Sequence, residues 1–148
     1  MPAPSAPYKP YADRFPNNEV RNSPTALEVV KDAGAIGKFT DKVILITGCT
    51  AGLGVETAKA LHVTGAKLYI AGRNVAKGEQ VVKEIIGSSD NDAPVEFLKV
   101  DLSSLNSVRS AAQEFLSKEK KRNILINNAG GLLRPCQWWT MYFLTWTF

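Results

Sequence analysis

The sequence has little of the chemistry that binds metals or forms disulfide frameworks. It contains one histidine and two cysteines, Cys49 and Cys136, and it has no Cys-x-x-Cys pair. Structural zinc sites need several cysteine or histidine ligands at short spacing, and disulfide scaffolds need more cysteines than these. The composition therefore predicts neither a metal site nor a fold held together by disulfides.

Targeting and membrane-spanning features are also absent from the sequence. The N-terminus has no apolar core of a secretory signal, and no run of about 18 apolar residues predicts a transmembrane helix. The net charge is +4, but the basic residues do not alternate with aromatic ones, so nucleic-acid binding is not expected. The densest basic stretch, residues 118–122, falls where a helix should end, and cations suit the negative end of a helix dipole. A cytoplasmic location is the expectation that remains.

Proline is concentrated at one end of the chain. Six of the eight prolines lie within the first 24 residues, and each proline removes a backbone donor and disfavours regular structure. We therefore predict that residues 1–40 form a proline-rich N-terminal arm, extended to about residue 22. A short helix is predicted over residues 25–33, where Gly34 would end it.

From Lys42 onward the sequence becomes regular. The continuous apolar run at residues 43–46 is typical of a strand that is buried on both faces of a parallel sheet. Three later segments also predict strands, at residues 67–71, 95–100 and 123–126, and a helical pattern separates each strand from the next. This alternation predicts an α/β fold with a Rossmann-type doubly wound parallel sheet, which occupies residues 41–130 and is truncated after its fourth strand.

The helices between these strands have recognisable ends. The first is predicted to run to about Val63 with Gly65 as its C-cap, and the second to run over residues 75–86 until Gly87. Ser103 or Ser104 can cap the third. Its apolar face is predicted to comprise Leu105, Val108, Ala112, Phe115 and Leu116. His62 lies within the first helix and is expected to be partly exposed.

A glycine-rich loop, Thr47-Gly48-Cys49-Thr50-Ala51-Gly52-Leu53-Gly54, joins the first strand to the first helix. Glycine lets the backbone approach a ligand closely, and the N-terminus of a helix offers free N–H groups and partial positive charge to an anion. The spacing predicts a pyrophosphate site, although a glycine-rich turn without a ligand is the alternative. No Lys-[Ser/Thr] pair follows the last glycine, which excludes a P-loop.

Two further motifs occur in order after the glycine loop. Asp101-Leu102 follows the third strand, and Asn127-Asn128-Ala129-Gly130 closes the fourth. Together the three motifs resemble the short-chain dehydrogenase/reductase family over residues 42–130. The segment Ala71-Gly72-Arg73-Asn74 is similar to the retinol-dehydrogenase-like branch of that family.

The resemblance implies a dinucleotide site at the ends of the strands. Pyrophosphate would contact the glycine loop, adenine would lie beside Asp101 and Leu102, and the ribose and nicotinamide side would lie beside Asn128, Ala129 and Gly130. In the loop, the matching residues are Gly48, Thr50, Gly52, Leu53 and Gly54. Asn127 would tie neighbouring strands together, and Cys49 is interpreted as a tolerated small residue and not as a nucleophile.

Arg73 follows the second strand, where an acid would indicate NAD and an arginine indicates NADP. A guanidinium can pair with the 2′-phosphate that distinguishes NADP. NADP is therefore predicted in preference to NAD, and the alternative is that Arg73 is a solvated surface residue.

No catalytic residue can be assigned by this resemblance. Family catalysis resembles acid–base chemistry by Tyr-x-x-x-Lys, but the positions four residues after the four tyrosines hold Ala12, Phe15, Arg73 and Trp146. The substrate of an intact relative would be an alcohol or a carbonyl compound. Two hypotheses follow: an NADP-dependent oxidoreductase that is inactive as this chain, or a non-catalytic module that binds a dinucleotide or a partner.

Residues 131–148 form an atypical aromatic tail that holds all three tryptophans and a single charge, Arg134. This tail stands where the family pattern would continue. We interpret it as the product of an altered reading frame, a retained intron or a truncated gene model. A sheet that ends here would have an open apolar edge, so self-association through that edge is expected.

Overall fold

The computed structural model describes residues 24–130 of the chain. Most of the predicted arm and the whole predicted tail therefore lie outside the described residues. The helices within this part are α1 (Ala26–Asp32), α2 (Leu53–His62), α3 (Val75–Ile86) and α4 (Leu105–Lys118). The strands are β1 (Val43–Thr47), β2 (Lys67–Gly72), β3 (Val95–Lys99) and β4 (Ile124–Ile126).

The strands form one parallel sheet in the order β3-β2-β1-β4. Ile44 of β1 aligns with Leu68 of β2 on one side and with Ile124 of β4 on the other. The chain moves outward from β1 to β3 and then crosses to β4 on the opposite side of β1. In such sheets ligands bind at the carboxyl ends of the strands, at the point where the strand order reverses. The predicted α/β doubly wound architecture is confirmed.

Both faces of the sheet are covered by helices. On one face, β1 and β2 pack against apolar residues of α2 and α3, and the buried residues of this cluster include Ile46, Ile70, Ala58 and Ile85. On the other face, β2 and β3 pack against α4, where the rings of Tyr69 and Phe115 lie edge to face with centroids 4.9 Å apart. Burial on both faces explains why β1 and β2 are continuous apolar runs.

Two predicted helix details differ in the structure. Helix α2 ends at its C-cap Val63, and Gly65 lies two residues further on, in the turn that leads to β2. In α4 the buried positions are Ala111 and Phe115, whereas Leu105 and Leu116 are 49% and 67% exposed. The predicted inward orientation of these two leucines was therefore wrong.

His62 is completely buried, which corrects the expectation of a partly exposed histidine. The connection between α3 and β3 folds over the end of α2 and encloses the imidazole. The Nδ1 atom lies 2.7 Å from Oγ of Ser89, and Nε2 lies 2.9 Å from the carbonyl oxygen of Ala93. Because a carbonyl can only accept, Nε2 carries the proton, and the imidazole links the helix to the connection.

The described part of the predicted arm contacts the sheet domain. Helix α1 matches the predicted segment, and a capping box between Thr25 and Glu28 forms its N-terminus. The amide of Phe39 donates to the carbonyl of Thr64 over 2.9 Å, and the Phe39 side chain packs against the core. In the described part of the chain, no helix combines the length and apolar character needed to cross a bilayer.

Candidate functional site

The carboxyl ends of all four strands meet at one edge of the sheet, and every residue predicted for the site lies there. The glycine loop follows β1, Arg73 follows β2, Asp101 and Leu102 follow β3, and residues 128–130 follow β4. The fold therefore brings together segments that are far apart in sequence. The structure describes all of these residues.

Two glycines of the loop are required by close packing against the segment after β4. Gly48 has a φ of +72°, and a Cβ at this position would lie 2.6 Å from the Cα of Ala129. A Cβ on Gly54 would lie 2.5 Å from Nδ2 of Asn128 and 2.7 Å from the carbonyl oxygen of Gly48. Real Cβ atoms do not approach other atoms so closely, so these two positions exclude larger residues.

Asn128 connects β4 to the glycine loop. Its Nδ2 atom donates to the carbonyl oxygens of Thr47 and Gly48 over 3.1 and 3.2 Å. The amide of Ala129 donates to Oγ1 of Thr47 over 3.1 Å. This is the strand-tying role that the sequence analysis gave to Asn127, whose exposed side chain forms no hydrogen bond with any other described residue. The turn after β4 directs the side chain of Asn128, and not that of Asn127, toward the end of β1.

The first turn of α2 is open to an anion. Gly52, its N-cap, has φ 65° and ψ −141°, and no atom lies within 4 Å of the position of a Cβ. No side chain caps this helix, whereas Thr25, Asn74 and Ser104 cap the other three described helices. The amide of Val55 donates to the carbonyl of Gly52 over 3.1 Å, but the amides of Leu53 and Gly54 have no partner among the described residues and remain available to a phosphate. Leu53, the next residue, is 82% exposed.

Cys49 supports the loop from the inside. Its side chain is fully buried, and Sγ lies 3.4 Å from the carbonyl oxygen of Gly54. Burial raises the pKa of the thiol to about 12. Nucleophilic cysteines need a thiolate, so the structure agrees with a packing role. The hydrogen bond to Gly54 was not predicted, because nothing in the sequence indicates which way this side chain points.

Arg73 and Asp101 follow the carboxyl ends of the neighbouring strands β2 and β3. Asp101 accepts hydrogen bonds from the amide and hydroxyl of Ser103 over 3.0 and 2.7 Å. These bonds lower the pKa of Asp101, and the positive charge of Arg73 lowers it further. The Arg73 side chain is exposed and forms no ion pair within residues 24–130. Asp101, which follows β3, therefore lies close to Arg73. The sequence around the end of β2 gives no indication of this neighbour.

An open cavity of about 580 Å³ lies beside the loop, between α2 and α3. Residues of the loop, α2 and α3 line it, among them Thr50, Gly52, Lys77 and Gln80. Lys77 is a residue near the loop that the sequence analysis did not select. The position of Lys77 four residues after Arg73 does not indicate in the sequence that it lies near the loop, because this depends on how α3 packs.

Tyr69 is the tyrosine in the described part of the chain, and it is not available to a ligand at this site. Its side chain is buried, and its hydroxyl lies 2.8 Å from Glu119 and 3.2 Å from Glu96. Desolvation is the largest of the effects that raise its pKa to about 12. It therefore has a structural role under α4, away from the glycine loop.

Comparison with known proteins identifies relatives of this arrangement. A family model described as short chain dehydrogenase matches residues 42–141. The chain is 49% identical over 114 residues to the oxidoreductase calI of Penicillium decumbens, and 48% identical over 94 residues to retinol dehydrogenase 12 of Mus musculus. These alignments cover 76% and 64% of this chain, but 33% and 29% of the relatives. The chain thus spans about a third of the length of the curated relatives it matches.

Solved structures show the same fold. A metagenomic short-chain oxidoreductase in complex with NADP is 25% identical, with a TM-score of 0.60 over 69% of this chain and 48% of that chain. A D-mannonate oxidoreductase from Haemophilus influenza with bound NAD is 28% identical, with a TM-score of 0.55 over 64% of this chain and 32% of that chain. One similar structure thus contains NADP and another contains NAD.

Proposed function

Because the chain belongs to the short-chain dehydrogenase family, we propose that its strand ends bind NADP(H) for an oxidoreductase that interconverts an alcohol and a carbonyl compound. The observation that carries this proposal is the uncapped first turn of α2 behind Gly52. The open space over Gly52 lets a phosphate approach the backbone, and the free amides would hold it. The donor set therefore fits a pyrophosphate.

Each part of the cofactor has residues suited to it. The pyrophosphate would be held by the loop that contains Thr50, Leu53 and the three glycines. The adenosine would lie beside Asp101 and Leu102, and the nicotinamide ribose beside residues 128–130. Bound nicotinamide supplies or accepts a hydride, while the residues of this chain bind and orient the cofactor.

The preference for NADP over NAD rests on Arg73. Its guanidinium is exposed at the end of β2, where the family places the residue that recognises the adenosine ribose. A dianionic 2′-phosphate would be stabilised by this charge, whereas a 2′-hydroxyl gains less from it. Asp101 lies near enough for the charge of Arg73 to act on it, but within residues 24–130 the guanidinium forms no ion pair, so it remains available to a phosphate.

We further propose that the 148-residue chain binds the cofactor without turnover, because none of its tyrosines is followed by lysine at the fourth position. The second candidate function is a non-catalytic module that holds a dinucleotide or a partner. Purified chain should give no oxidation of alcohols or reduction of carbonyls above background. Turnover that copurifies with the chain and is abolished by Gly52→Val would contradict the non-catalytic proposal.

Self-association through the edge strand β4 and a cytoplasmic location also belong to this proposal. Leu125 of β4 is exposed at that edge of the described sheet, and exposed sheet edges promote association.

Fluorescence titration with NADPH and NADH tests the cofactor preference. We expect tighter binding of NADPH, and a loss of about tenfold or more of that preference in Arg73→Ala, as for a hydrogen bond between charged groups. Arg109→Ala is the control, because Arg109 is equally a surface arginine but lies on α4. Equal affinity of the parent chain for both cofactors would contradict the preference for NADP.

A further inference from the structure

We propose that Lys120, Lys121 and Arg122, together with the exposed Leu116, form a docking surface for an anionic lipid bilayer. We call these four residues the basic edge. They lie in the last turn of α4 and in the connection that leads to the amino end of β4. The candidate cofactor site lies at the carboxyl ends of the strands, so the two surfaces are at opposite edges of the sheet.

The dipole of α4 accounts for only one cation of the basic stretch at residues 118–122. Helix α4 ends at Lys118, and its C-cap Glu119 already has an extended backbone, with φ −126° and ψ 129°. Lys118 is compensated, since its ammonium lies 3.1 Å from both Glu96 and Glu114. The effect of a helix dipole is confined to the last turn. The explanation by the helix dipole therefore applies to Lys118 alone, and the three cations that follow lie beyond it.

These three cations have no partner among the described residues. Each is exposed, and none forms an ion pair or a hydrogen bond with another described side chain. Two acids nearby are already paired, since Glu119 lies 2.7 Å from the ammonium of Lys67 and Asp41 lies 2.6 Å from that of Lys42. A hydrogen bond from Lys42 lowers the pKa of Asp41, and the charge of Lys121 lowers it further. The positive charge of the basic edge is therefore left for an external anion.

The connection that carries the cations is short and is held at both ends. The amide of Glu119 donates to the carbonyl of Phe115 over 2.8 Å. Four residues later, the amide of Asn123 donates to the carbonyl of Val43 over 3.0 Å, and its Oδ1 accepts from the amide of Val43 over 2.9 Å. The backbone between these points is tied to α4 and to β1. The three cations thus need little backbone ordering on binding, which favours affinity.

An exposed leucine beside the cations favours a lipid surface as the partner. Leu116 is 67% exposed in the last turn of α4, four residues before Lys120, whereas its neighbour Phe115 is buried. Peripheral proteins bind bilayers through cations that meet anionic headgroups and through apolar side chains that enter the interface. The basic edge supplies both groups. It contains no aromatic side chain on which a nucleic-acid base could stack.

The basic edge is far enough from the glycine loop to act separately from it. Strand β1 has five residues, so roughly 16 Å separate the two edges of the sheet. The screening length at physiological salt is about 8 Å. Substitutions in the basic edge should therefore leave the binding of a phosphate at the loop unchanged.

The test measures binding of the whole chain to vesicles of phosphatidylcholine with phosphatidylserine, and to vesicles of phosphatidylcholine alone. We expect the chain to bind the anionic vesicles more tightly, and this binding to weaken as salt is added. A triple variant with Lys120→Gln, Lys121→Gln and Arg122→Gln should bind them roughly a hundredfold more weakly. Leu116→Ser should weaken the binding about tenfold, because its side chain no longer enters the interface.

Two further variants serve as controls. The charge-conserving variant with Lys120→Arg, Lys121→Arg and Arg122→Lys should bind like the parent chain. A dispersed variant loses the same charge from three exposed cations on α3, β3 and α4 and should also bind like the parent. Its substitutions are Lys83→Gln, Lys99→Gln and Arg109→Gln. Equal weakening in the dispersed and basic-edge variants would overturn the proposal, because net charge and not the basic edge would then control binding.

Three other results would also overturn it. Equal binding of the parent chain to both kinds of vesicle would show that the cations do not contribute. Binding of polyglutamate as tight as that of the anionic vesicles, and unchanged in Leu116→Ser, would show that the partner is an acidic polymer and not a bilayer. A lower thermal unfolding temperature and a weaker NADPH affinity in the basic-edge variant would show that its substitutions act on the fold.

Discussion

Two glycines at the site, Gly48 and Gly130, have different physical requirements. Gly48 combines a φ of +72° with a backbone neighbour 2.6 Å from the position of a Cβ, whereas a Cβ on Gly130 meets open space. Gly48→Ala should therefore lower the free energy of unfolding by about 3 kcal/mol, from backbone strain and overpacking together. Gly130→Ala should change it by less than about 0.5 kcal/mol. Urea denaturation of both variants measures the difference, and equal stabilities would refute this account of the loop.

Buried hydrogen bonds of His62 provide a second prediction for a single residue. His62→Ala removes a fully buried ring and leaves the carbonyl of Ala93 without its donor. We expect the free energy of unfolding to fall by about 2–4 kcal/mol, from the cavity and the lost partner. Lys59→Ala, on the same helix, breaks only a partly exposed ion pair and should cost less than about 1 kcal/mol. If chemical denaturation shows similar losses for both, the imidazole does not hold the α3–β3 connection.

The residues that sequence reasoning misplaced share a physical cause. Nothing near His62 in the sequence indicates that Ser89 and Ala93 fold over it, and nothing distinguishes Asn127 from Asn128 until the turn after β4 is known. Both errors concern contacts between segments distant in sequence. The glycine loop could be recognised because it follows a strand directly and opens a helix, although the close contacts that exclude a Cβ at Gly48 and Gly54 come from the segment after β4.

Among the elements, strands were easier to predict than helix orientation. A strand buried on both faces has one apolar signature, so β1 and β2 could be recognised directly. Helix α4 offers several apolar residues over a wide arc, and the sheet selects Val108, Ala111 and Phe115 from them. Leu105 and Leu116 lie outside the cluster that α4 forms with the sheet and remain exposed. The apolar periodicity predicted helix α4, but it did not identify which of its apolar residues pack against the sheet.

A charged cluster connects β2, β3 and the end of α4. The ammonium of Lys67 lies 2.7 Å from Glu119 and 3.0 Å from Glu96, and Lys118 lies 3.1 Å from Glu96. A hydrogen bond from Lys67 is the main cause that lowers the pKa of Glu119. For Glu96, burial opposes ionisation, but hydrogen bonds from Lys67 and Lys118 outweigh it and lower the pKa. The cluster therefore stabilises the fold when both carboxylates are ionised.

This cluster predicts acid sensitivity. A carboxyl whose pKa is lower in the folded state stabilises the fold at pH values above its ordinary pKa of 4.5. That stabilisation is lost as the pH falls through the lowered pKa of the folded state. Glu119→Gln should therefore be less stable than the parent chain at neutral pH and should show a shallower decline below pH 4.5. Urea denaturation across this range measures both effects.

A matched control separates the cluster from general charge effects. Glu79→Gln removes an exposed carboxylate on α3 that has no ion pair with the described residues. Its pH dependence should follow that of the parent chain. A parallel decline for the parent and Glu119→Gln below pH 4.5 would show that the cluster does not control acid stability.

At the scale of the whole molecule, the location of the site could be predicted because parallel strands direct their carboxyl ends to one edge. Three motifs at three strand ends were sufficient to predict a cofactor site there. The surroundings could not be predicted, since the approach of Asp101 to Arg73 and of Lys77 to Thr50 depends on how β3 and α3 pack. The surroundings of the candidate site thus depend on tertiary contacts that no motif contains.

The edge strand β4 leads to the last prediction, which concerns association of the whole chain. β4 has three residues, pairs only with β1 among the described strands, and exposes 37% of Leu125. Parallel strands are normally buried on both faces, so we propose that this surface contacts another copy. We expect the apparent mass of the parent chain in light scattering to increase with concentration. Leu125→Lys should reduce the increase, because a charge on an edge strand opposes pairing.

Leu105→Lys is the matched control for this measurement, since Leu105 is an exposed leucine on α4, away from the edge. It should associate like the parent chain, because its substitution leaves the surface of β4 unchanged. If both variants lose association equally, general charge and not the edge is responsible. A parent chain that remains a monomer at all concentrations and unfolds cooperatively would instead show that β4 is already covered within one copy.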